Sequence, residues 1–170
     1  MKKILEWVKP IVLAIVIAFI INSFIIVNAV IPTGSMKPTI NINDRVIALR
    51  LSYLFTDPQR GDIIIFDSNY EDKLLVKRII GMPGEAVEIK EGRVYVNNQV
   101  LEDFSDILIA GDFGPYKVPD DAYFMLGDNR NGSKDSRYWD NPYIDESLIK
   151  GKVLIKYFPS IEYLGGNHGQ

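Results

Sequence analysis

The chain has 170 residues, 47% of them apolar, which suits one domain with room for a modest second lobe. It contains no cysteine and a single histidine, which excludes disulfides and thiolate chemistry and leaves too few ligands for a structural zinc site. Its formal charge of -3 argues against nucleic acid as a partner, because a domain that binds nucleic acid is normally basic.

In chain order, the first feature is a basic start followed by a long apolar run. Lys2, Lys3 and Lys9 face only Glu6, and residues 11–31, IVLAIVIAFIINSFIIVNAVI, hold no charge and three polar residues, Asn22, Ser23 and Asn28. As a helix at ~1.5 Å per residue the run spans roughly 31 Å, the thickness of a bilayer's hydrocarbon core. The sequence therefore predicts a transmembrane helix over 10–31, a cytoplasmic N-terminus over 1–9 by the positive-inside rule, and an extracytoplasmic β-rich domain over 32–170. A buried core helix is disfavoured because the run is apolar on every face. A cleaved signal peptide would find small residues near Val27-Asn28-Ala29, but its apolar region is shorter than this one.

The next segment, IPTGSMKPTI (31–40), sets a serine between glycine and methionine and fences it with prolines. That pattern suits neither a linker nor a strand core. It suits a stiff turn that presents Ser35 as a nucleophile just outside a membrane.

RVIALRLSYL (45–54), DIIIF (62–66) and LLVKRIIGM (74–82) are short runs rich in β-branched residues, each bounded by turn formers. AVEIKEGRVYVNN alternates with period two around Glu91-Gly92, which predicts a hairpin with Val87, Ile89, Val94 and Val96 on one face. Residues 98–120 read as an irregular excursion. AYFMLGD (122–128) and KVLIKYFP (152–159) close the sheet system, and the tail GGNHGQ is expected to fray. The fold class is mainly β, built from antiparallel sheet.

His168, in that glycine-rich tail, is a poor member of a Ser-His-Asp triad, so the proton of Ser35 needs a different base. Lysine is the known substitute, provided it is neutral. From a free pKa of ~10.4, reaching about 7 or 8 requires ~4 kcal/mol of preference for the amine, which burial can supply. Lys77 lies in a strand with apolar neighbours, whereas most other lysines lie in polar runs. Strand neighbours alternate, so one of Lys77 and Arg78 faces inward, and composition does not say which. In LGDNRNGSKDSRYWD (126–140), Asp128, Arg130, Asp135 and Arg137 suit fixing a polar loop, while the Ser133 hydroxyl could orient a neutral lysine.

Together PTGSMKPT, RGDIIIF, VKRIIGMPGE and GDNRNGSKDSR, in that order after an apolar run, resemble the bacterial type I signal peptidases, and in compact size the Gram-positive kind. The resemblance covers almost the whole chain. It implies a membrane-anchored Ser-Lys endopeptidase that removes signal peptides at the outer face of the cytoplasmic membrane, with no metal or organic cofactor. Its partners would be secretory precursors with small residues before the cleavage site, and the lipid bilayer. It also implies Ser35 as nucleophile, Lys77 as general base, the Ser35 N–H and the Thr33 hydroxyl as oxyanion donors, and Ser133 as the residue that orients the lysine. Asp128, Asp135, Arg137 and Arg78 would support the site, and Met36 would lie near the substrate groove. Two other readings are a self-cleaving Ser-Lys repressor-type protease, which would carry a DNA-binding domain, and a membrane-anchored non-catalytic β-domain that binds a cell-surface partner.

Overall fold

The apolar N-terminus is not one continuous helix. In the computed structural model, which describes residues 2–68, 73–102, 104–105 and 107–166 (backbone alone for 2–6 and 8), helix α1 runs Lys2–Ile20. It loosens into a π-helical turn over Ile21–Ile25 and gives way to strand β1, Ile26–Val30. This corrects the helix expected over 10–31. Residues 26–30, IVNAV, are rich in β-branched side chains, and their backbone groups pair with β2 (Arg45–Leu49) from Ile26↔Leu49 to Val30↔Arg45. Among the described residues no helix is long and apolar enough to cross a membrane. Large apolar side chains of α1 and its π turn, including Ile11, Leu13, Phe19 and Phe24, are nevertheless exposed.

Beyond β2 the chain forms β3 (Ile63–Asp67), β4 (Leu74–Gly81), the β5–β6 hairpin (Ala86–Lys90, Arg93–Val96), β7 (Gln99–Val100), β8 (Phe113–Lys117) and β9 (Ala122–Leu126). It ends with β10 (Tyr143–Asp145), β11 (Ile149–Phe158) and β12 (Glu162–Tyr163). The larger sheet has the order β1-β2-β11-β3-β4-β9-β10, with β12 also on β11, and every pairing is antiparallel. The mainly β, antiparallel fold is as the sequence predicts.

The centre of this sheet is covered on both faces. All five residues of β9 are buried, as are Ile63 to Phe66 of β3, so these strands read as continuous apolar runs rather than alternating ones. The same cover explains why Lys77 and Arg78, neighbours on β4 that point to opposite faces, are only 3% and 4% exposed. The expectation that just one of them faces inward is corrected accordingly.

The smaller sheet has the order β7-β6-β5-β8. Its hairpin has the expected faces: Val87 opposes Val96, Ile89 opposes Val94, and all four are buried. Glu91 and Gly92 turn it with φ of 52° and 77°. The excursion at 98–120 is more regular than its composition suggests, because it supplies β7 and β8. Two residues carry no periodicity, and FGPYK contains a glycine and a proline, which conceal both strands. His168 lies outside the described residues.

Candidate active site

Three segments converge at one side of the larger sheet: the turn after β1, the first half of β4, and the loop after β9. Thr33, Ser35, Lys77, Ser68, Leu75 and Trp139 help to line a cleft of about 260 Å³. A second hollow of about 280 Å³ adds Ile31, Met36, Leu74 and Val76, and shares Thr33, Ser35, Leu75 and Lys77 with the first. Ser35 is half-buried, Thr33 is exposed, and Lys77 is buried. The nucleophile and the base expected from the sequence therefore open onto a common cleft.

The β4 edge at the cleft is free of the larger sheet on one side. β4 pairs with β3 from Leu74 onward, but β9 joins its other edge only from Arg78. Among the described strands none pairs with the other edge of Leu74 to Val76, beside Ser35, and an extended peptide could pair there.

The loop after β9 is held by buried charge. Asp128 accepts both Arg78 Nε (2.8 Å) and Nη2 (2.7 Å), while Thr39 Oγ1 donates to its Oδ2 at 2.6 Å. Arg78 Nη1 donates to the Gly61 carbonyl at 2.7 Å, and its guanidinium lies 4.9 Å from the Phe104 ring centre. One carboxylate thereby joins β4, the turn that carries Ser35 and the β9 loop. Asp135 pairs with Arg137 through Nε (2.7 Å) and Nη2 (2.8 Å) and accepts the Gly127 N–H at 3.0 Å. Arg137 also donates to the Arg130 carbonyl at 2.6 Å. Arg130 is fully buried, which pulls its pKa down to about 10, chiefly by desolvation.

Ser133 is buried, and its Oγ has no hydrogen-bond partner among the described residues. It packs on Gly127: a Cβ there would lie 2.3 Å from Ser133 Oγ and 2.4 Å from the Ser35 carbonyl oxygen. Glycine at 127 is therefore required by close approach rather than by a special φ.

The sequence reading missed Asn129. Its N–H donates to the Ser35 carbonyl at 3.0 Å, and its Nδ2 donates to the Gly34 carbonyl at 3.0 Å. Residues 95 positions apart meet here, and in the sequence Asn129 is one more polar residue in a polar loop. Among the described residues no cluster of histidine, cysteine, aspartate and glutamate could hold a metal ion.

Residues 4–158 match a family model described as signal peptidase, peptidase S26. The chain is 40% identical over 163 residues to a probable signal peptidase I-2 of Synechocystis sp., covering 91% of this chain and 73% of that protein. It is 41% identical over 149 residues to signal peptidase I S of Bacillus subtilis, covering 80% and 79% of the two chains. A crystal structure of a signal peptidase I from Enterococcus faecalis aligns with a TM-score of 0.50 at 32% identity, over 57% of this chain and 97% of that one.

Proposed function

This chain belongs to the signal peptidase family, peptidase S26, and from that premise we propose that Ser35 and Lys77 are its catalytic dyad. The protein is a serine peptidase that removes signal peptides from exported proteins. What carries the residue assignment is a buried lysine on the same small cleft as a half-buried serine.

Ser35 Oγ attacks the scissile carbonyl while Lys77 Nζ takes its proton. Burial disfavours the ammonium form of an amine, the direction a general base requires. The Ser35 N–H donates to no carbonyl among the described residues, and with the Thr33 hydroxyl it is available to the oxyanion. Lys77 then protonates the leaving amine, and water attacks the acyl-enzyme. The Ser133 hydroxyl, buried and without a hydrogen-bond partner among the described residues, is available to orient the amine. Arg78, Asp128, Asp135 and Arg137 hold the surrounding backbone through their ion pairs.

The precursor lies extended along the edge of Leu74 to Val76, with small side chains before the scissile bond entering the two shallow hollows. The exposed apolar residues of α1 and its π turn are solvated by lipid, with the N-terminus cytoplasmic and the β-domain outside. This membrane-embedded part ends before Ile26, because β1 belongs to the folded domain. A shared membrane surface raises the effective concentration of precursor at the cleft.

The test is cleavage of one precursor by the full-length protein reconstituted in vesicles. Ser35→Ala and Lys77→Ala are each expected to abolish cleavage while circular dichroism shows the β fold intact. Cleavage at the wild-type rate by folded Lys77→Ala would remove Lys77 from the dyad.

A further inference from the structure

We infer that Asn129 is a positioning residue that holds the oxyanion hole open by fixing the peptide between Gly34 and Ser35. The inference rests on the reading of Ser35 as nucleophile and of its N–H as oxyanion donor. The carbonyl of Gly34 and the N–H of Ser35 belong to one planar trans unit, so they point in opposite directions. Asn129 Nδ2 holds that carbonyl at 3.0 Å, and so fixes where the N–H points. The next peptide is held by the same residue, since the Asn129 N–H donates to the Ser35 carbonyl at 3.0 Å.

Both carbonyls flanking the Ser35 Cα are therefore turned toward the β9 loop, and neither is turned toward the cleft. Without the side-chain bond, the Gly34 carbonyl keeps, among the described residues, a contact from Lys37 N–H at 3.3 Å, which lies inside the same turn and moves with it. Gly34 carries no Cβ to resist rotation of this peptide. A rotated unit would aim a carbonyl oxygen at the developing oxyanion and withdraw the donor. Asn129 touches no reacting atom. Its effect on rate comes entirely through the Ser35 N–H.

The test compares wild type with Asn129→Ala and Asn129→Asp in the full-length, vesicle-reconstituted protein. Asn129→Asp keeps the shape, removes the Nδ2 donor, and serves if the alanine variant folds poorly. Two probes accompany the precursor. A peptide aldehyde accepts Ser35 Oγ at its carbonyl carbon, the C=O π bond opens, and the new oxygen takes up the serine's proton or leaves it on Lys77. The matching peptide alcohol occupies the same groove and forms no such bond.

The expected result is a fall in kcat of about 10²-fold, with KM within twofold of wild type. Aldehyde affinity should fall by a similar factor while alcohol affinity and Tm stay unchanged. An unchanged kcat overturns the inference, and so does an equal loss of aldehyde and alcohol affinity, which would mean a collapsed groove. Ser35→Ala is run in parallel. If it cleaves normally, the nucleophile assignment falls and takes this inference with it. If it is dead while both Asn129 variants cleave normally, only the inference falls.

Discussion

The two sheets divide the work unequally. Every candidate catalytic group sits on the larger sheet or on turns that leave it, and the smaller sheet lines none of the cleft around Ser35 and Lys77. The smaller sheet nevertheless reaches the loop that supports the cleft. Phe113 of β8 lies 5.5 Å from the Arg137 guanidinium, so an aromatic ring covers one of the buried cations of the β9 loop. Its own core, built on Val87, Ile89, Val94 and Val96, packs against Phe124 and Leu126 of β9. One sheet presents the candidate catalytic groups, and the other packs behind β9 and covers the Arg137 guanidinium of the loop beside them. Position in the smaller sheet should therefore affect stability and spare the rate, whereas position in the β9 loop should affect the rate, and stability as well where a buried ion pair is broken or the loop is overpacked.

The sharpest test of that division is Asp128→Asn. It leaves the Arg78 guanidinium buried with a neutral partner and weakens the anchor of Thr39 in the nucleophile turn. Breaking a buried pair in this way costs ~3–5 kcal/mol. Urea unfolding should show that loss, and cleavage should fall with it. A stable, fully active Asp128→Asn protein would show that the pair is dispensable.

A smaller effect is expected from Gly127→Ala. The added methyl meets Ser133 Oγ and the Ser35 carbonyl oxygen at under 2.5 Å. Overpacking of this kind costs about 1–3 kcal/mol, and here the displaced atom belongs to the proposed nucleophile's own backbone. Cleavage should drop further than the change in stability alone explains, which parallel rate and unfolding measurements would reveal.

The smallest effect lies in the smaller sheet. Glu91 turns the hairpin at φ 52°, a conformation that costs a side-chain-bearing residue about 1–2 kcal/mol and glycine little. Glu91→Gly should raise stability by at most ~1 kcal/mol and leave kcat and KM unchanged. A change in cleavage rate would mean that the hairpin turn is coupled to the cleft through the core the two sheets share at β9.

Much of this organisation could be read from the residues, though unevenly. The hairpin was legible because alternation fixes both its faces and its partners within a dozen residues. Strands β2, β3, β4 and β11 were legible as runs rich in β-branched residues, and β9 as a short apolar run before a polar loop. The end of α1 was not, because an apolar helix and an apolar edge strand have the same composition at Ile26 to Val30, and only pairing with β2 separates them. The burial of Lys77 and Arg78 together was hidden for a related reason: alternation assigns two faces but does not say whether both are covered. At the site, Ser35 and Lys77 stood out by residue type and by family resemblance. Asn129 did not, because its partners are distant in sequence and its role depends on backbone direction.

The adjacency of Lys77 and Arg78 on β4 has a final consequence for folding. Were that strand to pair one position out of step, the two side chains would exchange sides. A guanidinium that never gives up its charge would plug the place proposed for a proton acceptor, and an amine too short for a two-pronged grip would stand opposite Asp128. Misalignment would yield an inert molecule that is also poorly held together, open to quality control, instead of a stable hydrolase cutting at the wrong bond.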